Sequence, residues 1–263
     1  MFKSSVFALI IVFLLSSSVF AGHPLITDDT GTQGKGNFEI DVKGETSKDK
    51  ETENNISIKS ESLKISTSFV YGIVETVDLS IELPYQWYKI RVNDTEIAKE
   101  NGITDLSIDL KWRFYENKDG WSFALKPGIT LPTGKIDKGL GTGKPTYGIT
   151  FITTKSLEPI TIHFNLGYSY MDYKNQEDKD ILRKSIVKSS LAAEIPIINN
   201  LKAVAEIGVY TNPEKGTNNH PAFATGGFIY DLSKNFSADA GVRFALNKPE
   251  TDFTALFGIA IKF

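Results

Sequence analysis

The amino-acid sequence predicts an all-β protein: a transmembrane, antiparallel, up-and-down β-barrel of twelve strands. Three observations carry that prediction. Apolar and polar residues alternate with a period of two along most of the chain, the mark of strands with two chemically different faces. The intervals between these segments alternate between short turns and longer polar loops, the layout of bacterial outer-membrane barrels. Aromatic residues on the apolar face gather at the two ends of the segments, where rings settle at lipid headgroups.

The first 21 residues read as a secretory signal peptide. Lys3 supplies the positive charge, Val6 to Leu15 the apolar core, and Val19-Phe20-Ala21 a small-x-small site with cleavage after Ala21. Residues 22–36 form an N-terminal segment, periplasmic or lumenal, ahead of a barrel expected over 37–263. Localisation in the bacterial outer membrane follows, with outer-membrane lipid and the barrel-assembly machinery as partners.

The alternation is clearest from Val77 to Trp87, where Val77, Leu79, Ile81, Leu83, Tyr85 and Trp87 point one way and Asp78, Ser80, Glu82 and Gln86 the other. It repeats at Leu106, Ile108, Leu110, Trp112 and Phe114 against Ser107, Asp109, Lys111 and Arg113. Extended along the chain, the reading places strands at 37–46, 60–73, 77–90, 103–115, 121–131, 146–156, 159–171, 183–196, 201–210, 221–230, 236–246 and 252–263. Ile186 and Val187 blur the pattern in the eighth. Long polar loops are expected near 47–59, 91–102, 132–145, 172–182 and 211–220, with short turns between the other strand ends. An even strand number puts both ends of the barrel on the short-turn side.

Two aromatic girdles separate this layout from a soluble β-sandwich. Tyr85, Trp87, Tyr147, Tyr168 and Tyr170 lie toward the long loops; Tyr71, Trp112, Phe114, Trp121, Phe123, Tyr230 and Phe236 lie toward the short turns. The last strand alternates through Phe253, Ala255, Phe257, Ile259 and Ile261 to Phe263, which resembles the signal read by the outer-membrane assembly machinery. In hydrocarbon a sheet must close on itself, because an open edge leaves backbone groups unbonded. A one-residue slip would turn Glu82 or Asp109 toward lipid, so the pattern also sets register.

The bulk numbers exclude several function classes. The chain has 263 residues, a formal charge of −3 and no cysteine, which removes thiolate chemistry and gives no case for nucleic acid. Mean hydropathy is −0.16, far from a helical membrane protein, which needs repeated apolar runs of about 20 residues. The three histidines, His23, His163 and His220, have no metal-ligand spacing. Gly139 to Pro145 fails as a phosphate loop, because Lys138 and Pro145 stand where Gly and Ser or Thr belong. Asp28-Asp29 lacks calcium-loop spacing. The barrel phospholipase motif H-x-S-N-G is absent, since Phe164-Asn165-Leu166 follows His163. The expectation is a non-enzymatic protein without a cofactor.

Inward parity assigns Glu82, Asp109, Lys111, Lys126, His163, Glu206, Asp239 and Arg243 to the lumen. Hairpin geometry is expected to bring Asp109 close to Lys126 and Glu82 close to Lys111. These charges read either as a structural ion-pair network, since buried charges need partners, or as a constriction that selects solutes. Gly148, Gly167, Gly208, Gly227, Gly241 and Gly258 share that parity and leave room for a solute or an inserted segment.

The start of the mature chain carries a family signature. It reads Pro24-Leu25-Ile26-Thr27-Asp28-Asp29-Thr30-Gly31-Thr32, and Leu131-Pro132-Thr133-Gly134-Lys135 and Gly141-Thr142-Gly143 follow later. This pattern resembles the "MetA-pathway of phenol degradation" family of outer-membrane proteins, with Pro24, Thr27, Asp28, Asp29, Gly31 and Thr32 as the matching motif. Thr30 departs from the alanine common there. The resemblance implies a barrel that admits small, often aromatic, molecules, and it brings no catalytic residue. The expected function is therefore a channel for small-molecule solutes. The alternative is a structural or ligand-binding barrel acting through its outer loops. The dense turn chemistry of the motif suits either a lumenal plug or a periplasmic contact.

Overall fold

Thirteen β-strands build the molecule in the computed structural model, which describes residues 23–263. The signal peptide expected at 1–21, with its cleavage site, lies outside them. The strands are β1 (Phe38–Glu53), β2 (Ile56–Val74), β3 (Val77–Val92), β4 (Thr95–Ile103), β5 (Leu106–Glu116), β6 (Trp121–Leu131), β7 (Thr146–Leu157), β8 (Ile160–Tyr170), β9 (Ser185–Ile198), β10 (Leu201–Tyr210), β11 (Ala222–Ser233), β12 (Phe236–Ala245) and β13 (Phe253–Lys262). All neighbours are antiparallel. The ring closes where β1 pairs with β13, Glu39 opposite Lys262, and the terminal ring of Phe263 stacks on Phe38 at 4.4 Å.

Twelve staves form the wall, because β4 and β5 share one. β5 pairs with the lower half of β3, Val77 to Glu82, and β4 with its upper half, Tyr85 to Val92. The chain breaks between them at Thr104-Asp105. The strands alternate as their side chains require. Leu83, Trp87, Leu110, Trp112, Tyr147, Tyr168 and Phe257 are exposed on the outer face, while Glu82, Gln86, Lys126, His163 and Glu206 are buried inside. At Gly44 the opposed Phe257 ring covers the backbone on the outer face.

Two expected loops are strands. Residues 47–59 and 91–102 continue the ladder as long hairpins, turning at Asn54-Asn55 and Asn93-Asp94, all four with φ between 47° and 65°. Consecutive residues in the left-handed region define the tight hairpin turn that asparagine and aspartate favour. The alternation of polarity disappears there because lipid no longer dictates an apolar outer face, so the strands lose the signal that marks them inside the bilayer. The other long connections form a packed layer over the same rim. Residues 132–145 hold a 3-10 turn at Ile136–Lys138, and the β8–β9 loop holds α1 (Gln176–Ile181).

Candidate functional site: a strapped lumen

The lumen is built from inward polar side chains and from residues 23–37, which cross the barrel as a strap near the short-turn rim. His23 bonds Asp239 of β12, and Pro24 lies against Gly227 and Gly241, where an added Cβ would come within 2.7 and 2.8 Å of its ring. Three of the inward glycines, Gly227, Gly241 and Gly258, thus make room for His23 and Pro24. Gly208 instead accommodates the Phe223 ring.

Glu206 of β10 anchors the next step. Its carboxylate accepts from the Ile26 N–H at 3.0 Å, the Thr27 N–H at 2.5 Å and the Thr27 hydroxyl at 2.6 Å. Asp28 then turns toward β5 and β6. Its two oxygens take Lys111 Nζ at 2.7 Å and Lys126 Nζ at 2.8 Å. With its amide turned so that the nitrogen meets the Asp28 carbonyl, Asn165 of β8 clasps the same residue's backbone, donating to that carbonyl at 2.9 Å and accepting from the N–H at 2.6 Å. Lys111 also donates to the Asp29 carbonyl at 3.1 Å, and Asp29 folds back on the Gly31 N–H at 2.5 Å as an Asx turn. Thr30 meets Thr154 at 3.1 Å and Ser122 at 2.5 Å. Thr32 donates to the Glu75 carbonyl, and the Gln33 N–H reaches Asp78 at 3.0 Å. Each polar member of the motif therefore has a partner, most of them on the barrel wall.

Lys126 is the foremost charge beside Asp109, as the hairpin predicts, but both lysines take their direct carboxylate partner from the strap. Lys111 stands opposite Asp78 on β3, and Glu82 opposite Ser107. The register of β5 with β6, Asp109 opposite Gly128 and Trp112 opposite Leu125, sets Lys111 opposite Lys126. Two like charges facing each other across a ladder repel, and Asp28 comes between them. The sequence offset within one hairpin could not show this, because the compensating charge comes from a segment more than 80 residues away.

Of the remaining candidates, His163 Nδ1 lies 2.9 Å from Thr154 Oγ1, while its Nε2 faces Glu194 at 3.6 Å. Ser68 donates to Glu82 at 3.2 Å. Arg243 donates to Thr225 and covers the Phe223 ring at 5.2 Å. Asp78 carries the inward parity the sequence assigns it but had no strap role there; Ser122, Thr154, Asn165 and Glu194 are not among the sequence candidates, although inward parity on a polar residue marks the first three. Glu194 falls in the segment where the alternation blurs.

Above the strap lies a cavity of about 280 Å³. Its floor is Pro24, Leu25 and Ile26; Glu82, Asp109, Lys126 and Arg243 are in its wall; Leu140 and Met171 are in its roof. The roof is the packed loop layer. Leu140, fully buried, sits on Tyr88 and Ile90. Asp105, at the break in the fourth stave, accepts from the N–H groups of Gly134 at 2.9 Å and Thr142 at 3.0 Å. The two later stretches of the family pattern, 131–135 and 141–143, thus fold around one carboxylate. Tyr173, Leu182, Met171 and Ile186 form a second cluster, and Arg183 ties it to the carbonyls of Asn212, Glu214 and Thr217. No group of three or more potential metal ligands occurs among the described residues.

A closed, lipid-faced antiparallel barrel with a polar lumen defines the class: a β-barrel of the bacterial outer-membrane type. The family model described as "Putative MetA-pathway of phenol degradation" matches residues 27–263, and the chain belongs to that family. Among solved structures, the COG4313 outer membrane channel from Pseudomonas putida F1 superposes with a TM-score of 0.69 at 13% identity, covering 89% of this chain and 98% of that one. The transport unit of the autotransporter AIDA-I from Escherichia coli gives 0.57 at 9% identity, over 99% and 98% of the two chains. The translocator domain of the autotransporter NalP from Neisseria meningitidis gives 0.50 at 10%, over 100% and 95%. These likenesses are of fold. No curated protein matches the sequence.

Proposed function

We propose that this protein is a non-enzymatic outer-membrane channel for small molecules, aromatic and other hydrophobic compounds among them, held shut on its periplasmic side by its own N-terminal strap. The single observation that carries the reading is the lumenal cavity between strap and loop layer. At about 280 Å³ it is close to the lower end of small-molecule sites. Its surface mixes Leu140, Met171, Phe223 and Leu256 with charged and hydroxyl groups, which suits an apolar ring bearing a polar substituent. Membership of a family named for phenol degradation, and a shared fold with an outer membrane channel, point the same way.

In this reading the signal peptide is removed after Ala21, the short-turn rim faces the periplasm, and Phe263 marks the final strand for the assembly machinery. The lumenal candidates Glu82, Asp109 and Arg243 contact the solute, and Lys111, Lys126, Glu206 and Asp239 hold the strap. The test is solute flux, phenol included, into liposomes bearing the mature chain or the chain lacking residues 22–36. Faster flux after deletion supports the reading. If neither protein passes solute or current, the pore is refuted and the barrel acts through its loops.

A further inference from the structure

The two long hairpins that rise above the loop rim place an unusual set of charges on the outside of the barrel. Register sets two adjacent rungs across β1, β2, β3 and β4. The lower is Lys48, Glu61, Lys89 and Lys99; the upper is Lys50, Lys59, Arg91 and Glu96. They share the outward face with Leu63 and Trp87, one rung below, and with Tyr85 and Ile103 beneath those. The patch therefore begins where the aromatic belt ends, the level at which lipid headgroups lie. It measures about 14 Å across the four strands and about 7 Å along them.

Six cations stand in this patch against Glu61, Glu96 and the turn residue Asp94. The acids are engaged by cations of the patch itself: Lys59 with Asp94 at 2.6 Å, Lys89 with Glu96 at 3.1 Å, and Arg91 with Glu61 at 3.7 Å. Lys48, Lys50 and Lys99 are exposed and make no ion pair among the described residues. A surplus of three positive charges thus sits at headgroup height on a chain whose net charge is −3. Strands that merely shaped the loops would not need cations on the face turned away from the lumen, directly above Trp87.

We infer that the outward face of the β1–β4 hairpins is a docking surface for phosphate-bearing lipid headgroups of the outer leaflet. The inference rests on the long-loop rim facing outward, and it requires no particular solute or open pore. Ammonium and guanidinium groups suit phosphate oxygens, clustered cations beside a membrane anchor favour anionic headgroups, and Trp87, Tyr85 and Ile103 lie where the acyl chains begin.

The test uses the full mature barrel in detergent, with bound lipid counted by native mass spectrometry. Probes are lipid A with both phosphates, its dephosphorylated form, and the acyl-free phosphorylated disaccharide. Expected is retention of the phosphorylated lipid that weakens about tenfold or more without its phosphates, and likewise in the triple variant Lys48→Glu, Lys50→Glu, Lys99→Glu. Lys118→Glu, in the β5–β6 turn at the opposite rim, leaves retention unchanged. Equal retention of phosphorylated and dephosphorylated lipid overturns the assignment, as does full retention by the triple variant. Equally tight binding of the acyl-free disaccharide overturns it in favour of a soluble anion. Should the triple variant fail to assemble, the wild-type comparison between lipids, repeated at low and high salt, still decides, because charge-driven docking weakens with salt.

Discussion

Replacing Asp28 by asparagine should release the strap without unfolding the barrel. The carboxylate lies between two ammonium groups, at 2.7 Å from Lys111 and 2.8 Å from Lys126, and the side chains of Asp28 and Lys126 are 2% and 4% exposed. Removing one member of a buried ion pair costs about 3–5 kcal/mol, since its partner stays charged. Lys111 is more accessible, at 14%, and water can relieve part of that cost, so the lower end, about 3 kcal/mol, is the appropriate figure. At roughly 1.4 kcal/mol per tenfold, the ratio of bound to released strap falls on the order of a hundredfold. The wall itself loses none of its strand pairing. Single-channel recording in planar bilayers reads the effect directly. Asp28→Asn should dwell in the conducting state that the chain lacking 22–36 occupies continuously. Combining Asp28→Asn with Lys126→Met should recover much of the closed state, because the uncompensated charge is gone. The reasoning fails if Asp28→Asn records like the wild type while the truncated chain conducts freely.

Three further outcomes follow from the same geometry. Gly241→Val should also open the channel, since a Cβ there would come within 2.8 Å of the Pro24 ring and 3.0 Å of the Gly226 carbonyl; conductance equal to wild type would show that the strap adapts. Ile108→Arg, on the lipid face, should lower barrel stability in bilayers by about 2–4 kcal/mol, while Asp109→Asn, one residue on, should assemble normally; heat-modifiable gel migration compares them, and equal tolerance would sink the assignment of faces. In α1, outside the membrane, burial pushes the Asp178 carboxyl above the ordinary carboxylate range, and its Oδ1 has no hydrogen-bond partner. A carboxyl with a raised folded pKa contributes its full stability below its unfolded value, about 3.9, and loses it as pH rises through the raised one. Limited proteolysis of the 172–183 loop, normalised to an unstructured peptide, should therefore speed up with pH in the wild type and respond less in Asp178→Asn; identical slopes would remove Asp178 as the cause.

The sequence was most legible where local chemistry is strict. Strand faces could be read because lipid outside and a polar lumen inside leave each inward or outward position only one acceptable character. It became illegible where that constraint ends. The hairpins through Asn54-Asn55 and Asn93-Asp94 leave the bilayer, both faces become polar, and a strand then resembles a loop. Only the turn residues betrayed them. The break at Thr104-Asp105 has the same origin: the fourth stave appeared as one segment starting at 103, whereas the wall is completed by a second strand that pairs with the upper half of β3.

Alternation by itself determined the number of staves and their faces, because a period of two is a property of neighbouring residues, and closure followed from the hydrocarbon that leaves no partner for an open edge. The strap's path was decided only by tertiary structure. His23 meets Asp239 across 216 positions, and Thr27 meets Glu206 across 179. Such pairs exist only once the sheet has closed and brought distant strands around one lumen. The glycines show the same division. Their inward parity was plain in the sequence, but whether they left space for a solute or for His23 and Pro24 depended on where a separate segment came to rest. Asp28 shows it most clearly: the local β5–β6 hairpin sets the two lysines face to face, but the carboxylate that bridges them arrives from a segment more than 80 residues away.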